Sequence, residues 1–193
     1  MPVDATPSLP PYAHVTQEAV QCAASASLRY SVPELLLHAV MRKENGRVGL
    51  EVKNTNGSRD LGPAGVNTIW LKEFGPYGIR LEHLRDDVCT NINASAYILR
   101  DYNNKQGGDW FKTLVAYNIG PNNWTPNRYA IGHKYATDVV EFWWGFQNYV
   151  DATHGVRREG APNHLSKVQK PMAEPRAPKR APSQLVFDVS SAR

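Results

Sequence analysis

Glu44 closes an apolar run, in Met41-Arg42-Lys43-Glu44-Asn45-Gly46, and is followed by the polar stretch Asn54-Thr55-Asn56-Gly57-Ser58-Arg59-Asp60-Leu61-Gly62. A carboxylic acid at such a helix-to-loop edge can be half buried. Half burial lifts its pKa toward neutrality, where it can serve as a general acid. Taken alone, the residue reads first as a solvated glutamate in a last helical turn. Asn54, Asn56, Asn67, Tyr117, Asn118, Trp124 and Tyr129 add the hydrogen bonds and stacking faces of a sugar groove. Taken singly, loop stabilisation accounts for those asparagines and core packing for those aromatics.

Other chemistries find little support. The six histidines are scattered without ligand spacing, and Cys22 and Cys89 form no CxxC pair, so no metal is expected. The glycines follow no phosphate-loop or dinucleotide spacing, and no GxSxG elbow is present, so no cofactor is expected either. What remains is carboxylate chemistry beside amide and aromatic side chains.

The elements that must position these groups are mostly helical. Thr16 can cap a helix through about Tyr30. Ser31-Val32-Pro33-Glu34 reads as a capping box opening a second helix, apolar around most of its girth and therefore central. The Gly/Asn-rich segment from Asn45 to Asn67 predicts loops or a short hairpin. Thr68 can cap a short helix through Phe74, and Asp86 or Asp87 a helix over roughly Val88–Asn103. Asp109 can cap Trp110–Asn118, and a last helix is expected over about Tyr135–Val150. The expectation is one mostly α domain over residues 16–150, after an N-terminal extension of residues 1–15.

Residues 151–193 read as a Pro-rich basic tail that is expected to be disordered. Eight Lys/Arg against three Asp/Glu leave residues 155–193 at +5, so residues 1–154 sum to −1 of the chain's net +4. The basic character thus belongs to the tail, which disfavours a nucleic-acid-binding globule. Its apolar patch Leu185-Val186-Phe187 could add to a partner's sheet edge. No stretch has the length of a transmembrane helix, and the first twenty residues lack the pattern of a signal peptide. Counting cysteines leaves two thiols and one disulfide equally open.

A series of short motifs in order connects these pieces. Cys22-Ala23-Ala24 and Tyr30-Ser31-Val32-Pro33-Glu34-Leu35-Leu36 precede Glu44-Asn45-Gly46. Asn54-Thr55-Asn56-Gly57-Ser58, Asp60-Leu61-Gly62-Pro63 and Asn67 follow. Cys89-Thr90-Asn91-Ile92, Ala116-Tyr117-Asn118-Ile119-Gly120 and Tyr135-Ala136 complete the series. In this order, from about Cys22 to Val150, the chain resembles the soluble lytic transglycosylase family, with its goose-lysozyme-like α fold. The resemblance is closest to the small versions associated with conjugative and type IV secretion systems.

The resemblance implies roles. Glu44 matches the family's only catalytic acid, cutting peptidoglycan between N-acetylmuramic acid and N-acetylglucosamine with closure of a 1,6-anhydro ring. Ser58, Gly62, Asn67, Tyr117 and Asn118 match substrate-site positions, and Asp60 a residue that organises the loop. Cys22 and Cys89 match a family disulfide, which implies a periplasmic or secreted protein whose signal has been removed. The implied partners are glycan strands, and secretion or conjugation machinery through the tail.

Two positions depart from the pattern. Gly62-Pro63-Ala64-Gly65-Val66 stands where the family has Gly-Pro/Leu-Met-Gln-Ile, and Asn45 stands where Ser or Gly is common. An unmet polar contact at a buried site costs about 1–3 kcal/mol, so the missing Gln implies weaker activity or altered substrate placement. The alternatives are a hydrolytic muramidase using the same Glu44, or a catalytically weak wall-binding module whose tail recruits assembly partners.

Overall fold

The computed structural model describes residues 9–154, so the tail predicted over 151–193 lies almost wholly outside the described residues. Seven α-helices and one small sheet follow in chain order. They are α1 (Gln17–Tyr30), α2 (Glu34–Glu44), β1 (Glu51–Lys53), β2 (Arg59–Leu61), β3 (Val66–Asn67), α3 (Leu71–Phe74), α4 (Leu81–Asp86), α5 (Val88–Lys105), α6 (Trp110–Ile119) and α7 (Pro126–Thr153). The fold is mostly α, in keeping with a lysozyme-like transglycosylase domain.

Local chemistry sets several helix starts. Thr16 accepts from Ala19 N, Asp87 from Thr90 N and Asp109 from Lys112 N, each satisfying a donor that the first turn leaves without an intrahelical partner. The capping box expected at Ser31 does not form. Ser31 instead ends α1 in the left-handed region (φ 52°), with its N–H on Ser27 O, and Pro33 is the N-cap of α2. Asn67, not Thr68, caps the turn that leads to α3, its side chain accepting from Ile69 N. The last helix begins at Pro126, nine residues before the expected start, where proline's fixed φ and missing N–H suit a first helical position.

Helix α2 is the buried centre, with Leu36, Leu37, His38, Ala39, Val40 and Met41 all buried. It packs on α7, α1 and α5 within the larger of two apolar clusters. The smaller cluster lies under the sheet and joins Leu61, Val66, Phe74, Ile79 and Leu84 to one side of α5. Helix α5 serves both clusters: Ile92, Ala96 and Leu99 face one, and Ala94, Ile98 and Tyr102 the other. A Cys22–Cys89 disulfide ties α1 to the start of α5, with the Cα atoms 5.1 Å apart. Residues 9–15 lie against α7 through Leu9 N to Gly145 O (3.0 Å) and a His14–Phe146 stack, and against α2 through His14 Nε2 to His38 O (3.2 Å).

The sheet is antiparallel in the order β1-β2-β3, with Val52 opposite Asp60 and Asp60 opposite Asn67. Its turn is held from behind by buried Asn91 of α5. The Asn91 amide donates to Leu61 O and Leu84 O, both at 2.7 Å, and its carbonyl oxygen accepts from Ala64 N at 2.8 Å.

Candidate active site

Glu44 is the last residue of α2. Asn45 then turns the chain in the left-handed region (φ 51°), a conformation that asparagine tolerates better than most residues. Tyr135 of α7 donates its hydroxyl to Glu44 Oε1 at 2.5 Å. The other oxygen meets bare backbone. A Cβ built on Gly65 falls 2.5 Å from Glu44 Oε2, and Gly65 has φ +60°, so only glycine suits this position. Gly65 is therefore no empty gap in the pattern: its backbone fills the space beside the acid.

The electrostatics follow from this enclosure. Burial pushes the Glu44 carboxyl up to about 7 from its ordinary 4.5. The Tyr135 hydrogen bond favours the ionised form and pulls down, the Asp60 carboxylate pushes up, and Lys43 pulls down. Burial wins. The tyrosine hydroxyls stay protonated: burial first, then the Glu44 carboxylate, raises Tyr117 and Tyr135 well above their usual range. At neutral pH Glu44 is poised to give up a proton and take one back.

The sheet side is an interlocked polar cage. Asn67 Nδ2 donates to Asp60 Oδ1 at 2.6 Å and Asn54 Nδ2 donates to Asp60 Oδ2 at 3.0 Å. Both amides also donate to Ser58 Oγ, at 3.2 Å from Asn54 and 3.0 Å from Asn67. Ser58 in turn donates to Asn56 Oδ1 at 2.7 Å. Asp60 thus links the turn that follows β1 to β3, and its charge reaches Glu44. Tyr117 of α6 donates to Ala64 O and shares a hydrogen bond with Ser95 Oγ, each at 2.9 Å. Its ring lies parallel to that of Tyr135, with centroids 6.5 Å apart.

The expected site residues therefore divide. Asp60 and Tyr117 interact electrostatically with Glu44, Ser58 and Asn67 belong to the cage around Asp60, and Asn118 is exposed on the last turn of α6. Gly62 follows β2 in the turn that leads to β3. It is buried (φ +68°), and a Cβ there would lie 2.5 Å from Asn91 Nδ2 and 2.6 Å from Leu84 O, so it shapes the turn. The most direct partner of the acid, Tyr135, was visible only as a late motif residue. Nothing in its spacing from Glu44, 91 residues away, revealed the contact.

The description "Transglycosylase SLT domain" matches residues 21–137, more than half of the chain, and the match includes Glu44, Asp60, Tyr117 and Tyr135. The chain belongs to this family. Its members are lytic transglycosylases that act on peptidoglycan. Protein IpgF of Shigella sonnei is 31% identical over 119 residues, covering 61% of this chain and 76% of that protein. Invasion protein IagB of Salmonella typhimurium strain SL1344 is 30% identical over 121 residues, covering 62% and 73%. The X polypeptide of Escherichia coli is 28% identical over 155 residues, covering 78% and 86%.

Proposed function

We propose that the protein is a peptidoglycan lytic transglycosylase that cleaves the β-1,4 bond between N-acetylmuramic acid and N-acetylglucosamine, with Glu44 as its acid and base. The observation that carries this reading is the buried Glu44 carboxyl, raised to about 7 and held by the Tyr135 hydroxyl. Protonated Glu44 gives its proton to the glycosidic oxygen, and the N-acetylglucosamine side leaves as an alcohol. The muramic N-acetyl oxygen stabilises the cation at C1, the substrate-assisted route that needs no carboxylate nucleophile. The Glu44 carboxylate then takes the proton of the muramic 6-hydroxyl as O6 bonds to C1. No water is consumed, and the acid is restored for the next cycle.

The Cys22–Cys89 disulfide supports a periplasmic or secreted setting, since such bridges persist in oxidising compartments. Among the described residues no helix is long and apolar enough to cross a membrane. We assign the protein a role in opening the wall locally for a secretion or conjugation apparatus, with the tail as the contact to that machinery. The relative named an invasion protein is compatible with this role.

Asp60 favours one second reading. Its charge reaches Glu44, and a paired carboxylate of this kind serves hydrolysis in lysozyme-type sites. Mass spectrometry of digested sacculi separates the two. Anhydro-muramic ends are expected, and reducing ends in their place establish the hydrolase. Glu44→Gln should abolish cleavage. Binding of sacculi without cleavage by the wild type overturns both enzyme readings and leaves a wall-binding module.

A further inference from the structure

Beside the Glu44–Tyr135 contact, α2 and α7 also meet through charge. Lys43 Nζ lies 2.7 Å from Asp138 Oδ2, and the two side chains are 30% and 24% exposed. Lys134, one turn earlier on α7, places its Nζ 3.0 Å from Asp138 Oδ2 and 3.2 Å from Oδ1. Asp138 thus sits between two lysines. Lys43 is the chain neighbour of Glu44, and its ammonium stands 5.9 Å from the centre of the Tyr135 ring. That ring carries the hydroxyl bonded to Glu44. A lysine head on a flexible four-carbon stem follows the nearest anion. With Asp138 present, that anion lies on α7.

We infer that Asp138 is a positioning residue for the proposed acid, holding the Lys43 ammonium against α7 and off the Glu44 carboxyl. The inference rests on Glu44 being the catalytic acid. The titratable and charged groups that act on Glu44 are Tyr135 from α7, Lys43 from α2 and Asp60 from β2, with Tyr117 of α6 stacked on Tyr135. Lys43 is the cation of this set. In its parked position it pulls Glu44 down less than burial pushes it up. Coulomb attraction grows as the separation shrinks, and more steeply away from water. A Lys43 released from Asp138 has Glu44 and Asp60 as its alternative anions. Its approach favours the carboxylate and removes the proton that the first step needs.

The test is a pH titration of Glu44 in the full chain carrying 13C-carboxyl glutamate, followed by NMR, with Glu44→Gln assigning the signal. In Asp138→Asn, Glu44 should titrate at lower pH than in the wild type, and in Lys43→Met at higher pH. The double variant should match Lys43→Met, Asp138→Glu should restore the wild-type curve, and Lys134→Met should leave it in place. Clearing of sacculi at pH 7 should fall about two- to fivefold in Asp138→Asn, through kcat rather than KM, the range set by a solvent-screened ion. An unchanged Glu44 titration in Asp138→Asn overturns the proposal, as does a shift that persists in the double variant. Should Asp138→Asn fold poorly, Lys43→Met still decides, because a Glu44 that does not move without Lys43 overturns it. A wild type that leaves glycan uncut while the titrations behave as stated sinks the enzyme reading and leaves the Lys43–Asp138 coupling standing.

Discussion

Glu44 serves two opposing demands, because the burial that makes it an acid near neutrality also makes its charged form costly. Its folded pKa, about 7, lies above the ordinary 4.5. By linkage its contribution to stability is fully present below pH 4.5 and is lost as pH rises through about 7. Glu44→Gln removes the ionisable group, so it should raise the melting temperature at pH 8 and leave it nearly unchanged at pH 4. The gain at pH 8 should be about 1–3 kcal/mol, and thermal melts across pH check the sign. Gly65 sets a second expectation at this scale. A Cβ there collides with Glu44 Oε2 and strains a backbone at φ +60°. Gly65→Ala should therefore cost at least about tenfold in wall cleavage, and Gly65→Gln should do no better, although Gln is the family residue. A turbidity assay with each variant decides. Gly65 read as a lost hydrogen bond in the sequence, since residue type reports a missing side chain and not where the backbone has moved.

The elements that hold the site differ in how plainly they announce themselves. Caps made by one side chain on a donor three residues away, at Thr16, Asp87 and Asp109, were legible because their chemistry is local. Ser31 carried the same letters but ends a helix instead. The start of α7 was missed because residues 126–131 are exposed and show no apolar period, although Thr125-Pro126 was available as a start signal. The three-residue strands of β1 and β2 were legible only as a short-hairpin option. Such strands are too brief for alternation to show, and side chains distant in sequence hold them. Asn91 is the chief of these. Asn91→Ala strips partners from Ala64 N, Leu61 O and Leu84 O at a buried position. The variant should lose about 3 kcal/mol of stability. Amide exchange at Ala64 should quicken well before exchange in α1 does, and hydrogen-exchange mass spectrometry reads both.

At the scale of the molecule, α5 joins two apolar clusters and the disulfide fastens α1 to the start of that helix. The bridge closes a 67-residue separation, worth about 4 kcal/mol in the chain-entropy picture. Cys22→Ser with Cys89→Ser should lower the unfolding free energy read from urea titration by that amount, and the fraction that remains folded should keep its Glu44 titration. Whole domains hold together by only about 5–15 kcal/mol, so one covalent bond supplies a sizeable share of the margin. A bridge that closes only where thiols oxidise also works as a clock. Where thiols stay reduced, the folded state lacks that margin and unfolded copies are more open to proteases. In the periplasmic or secreted setting proposed above, oxidation would lock α1 to α5, so that the compartment would set the moment at which the chain becomes durable.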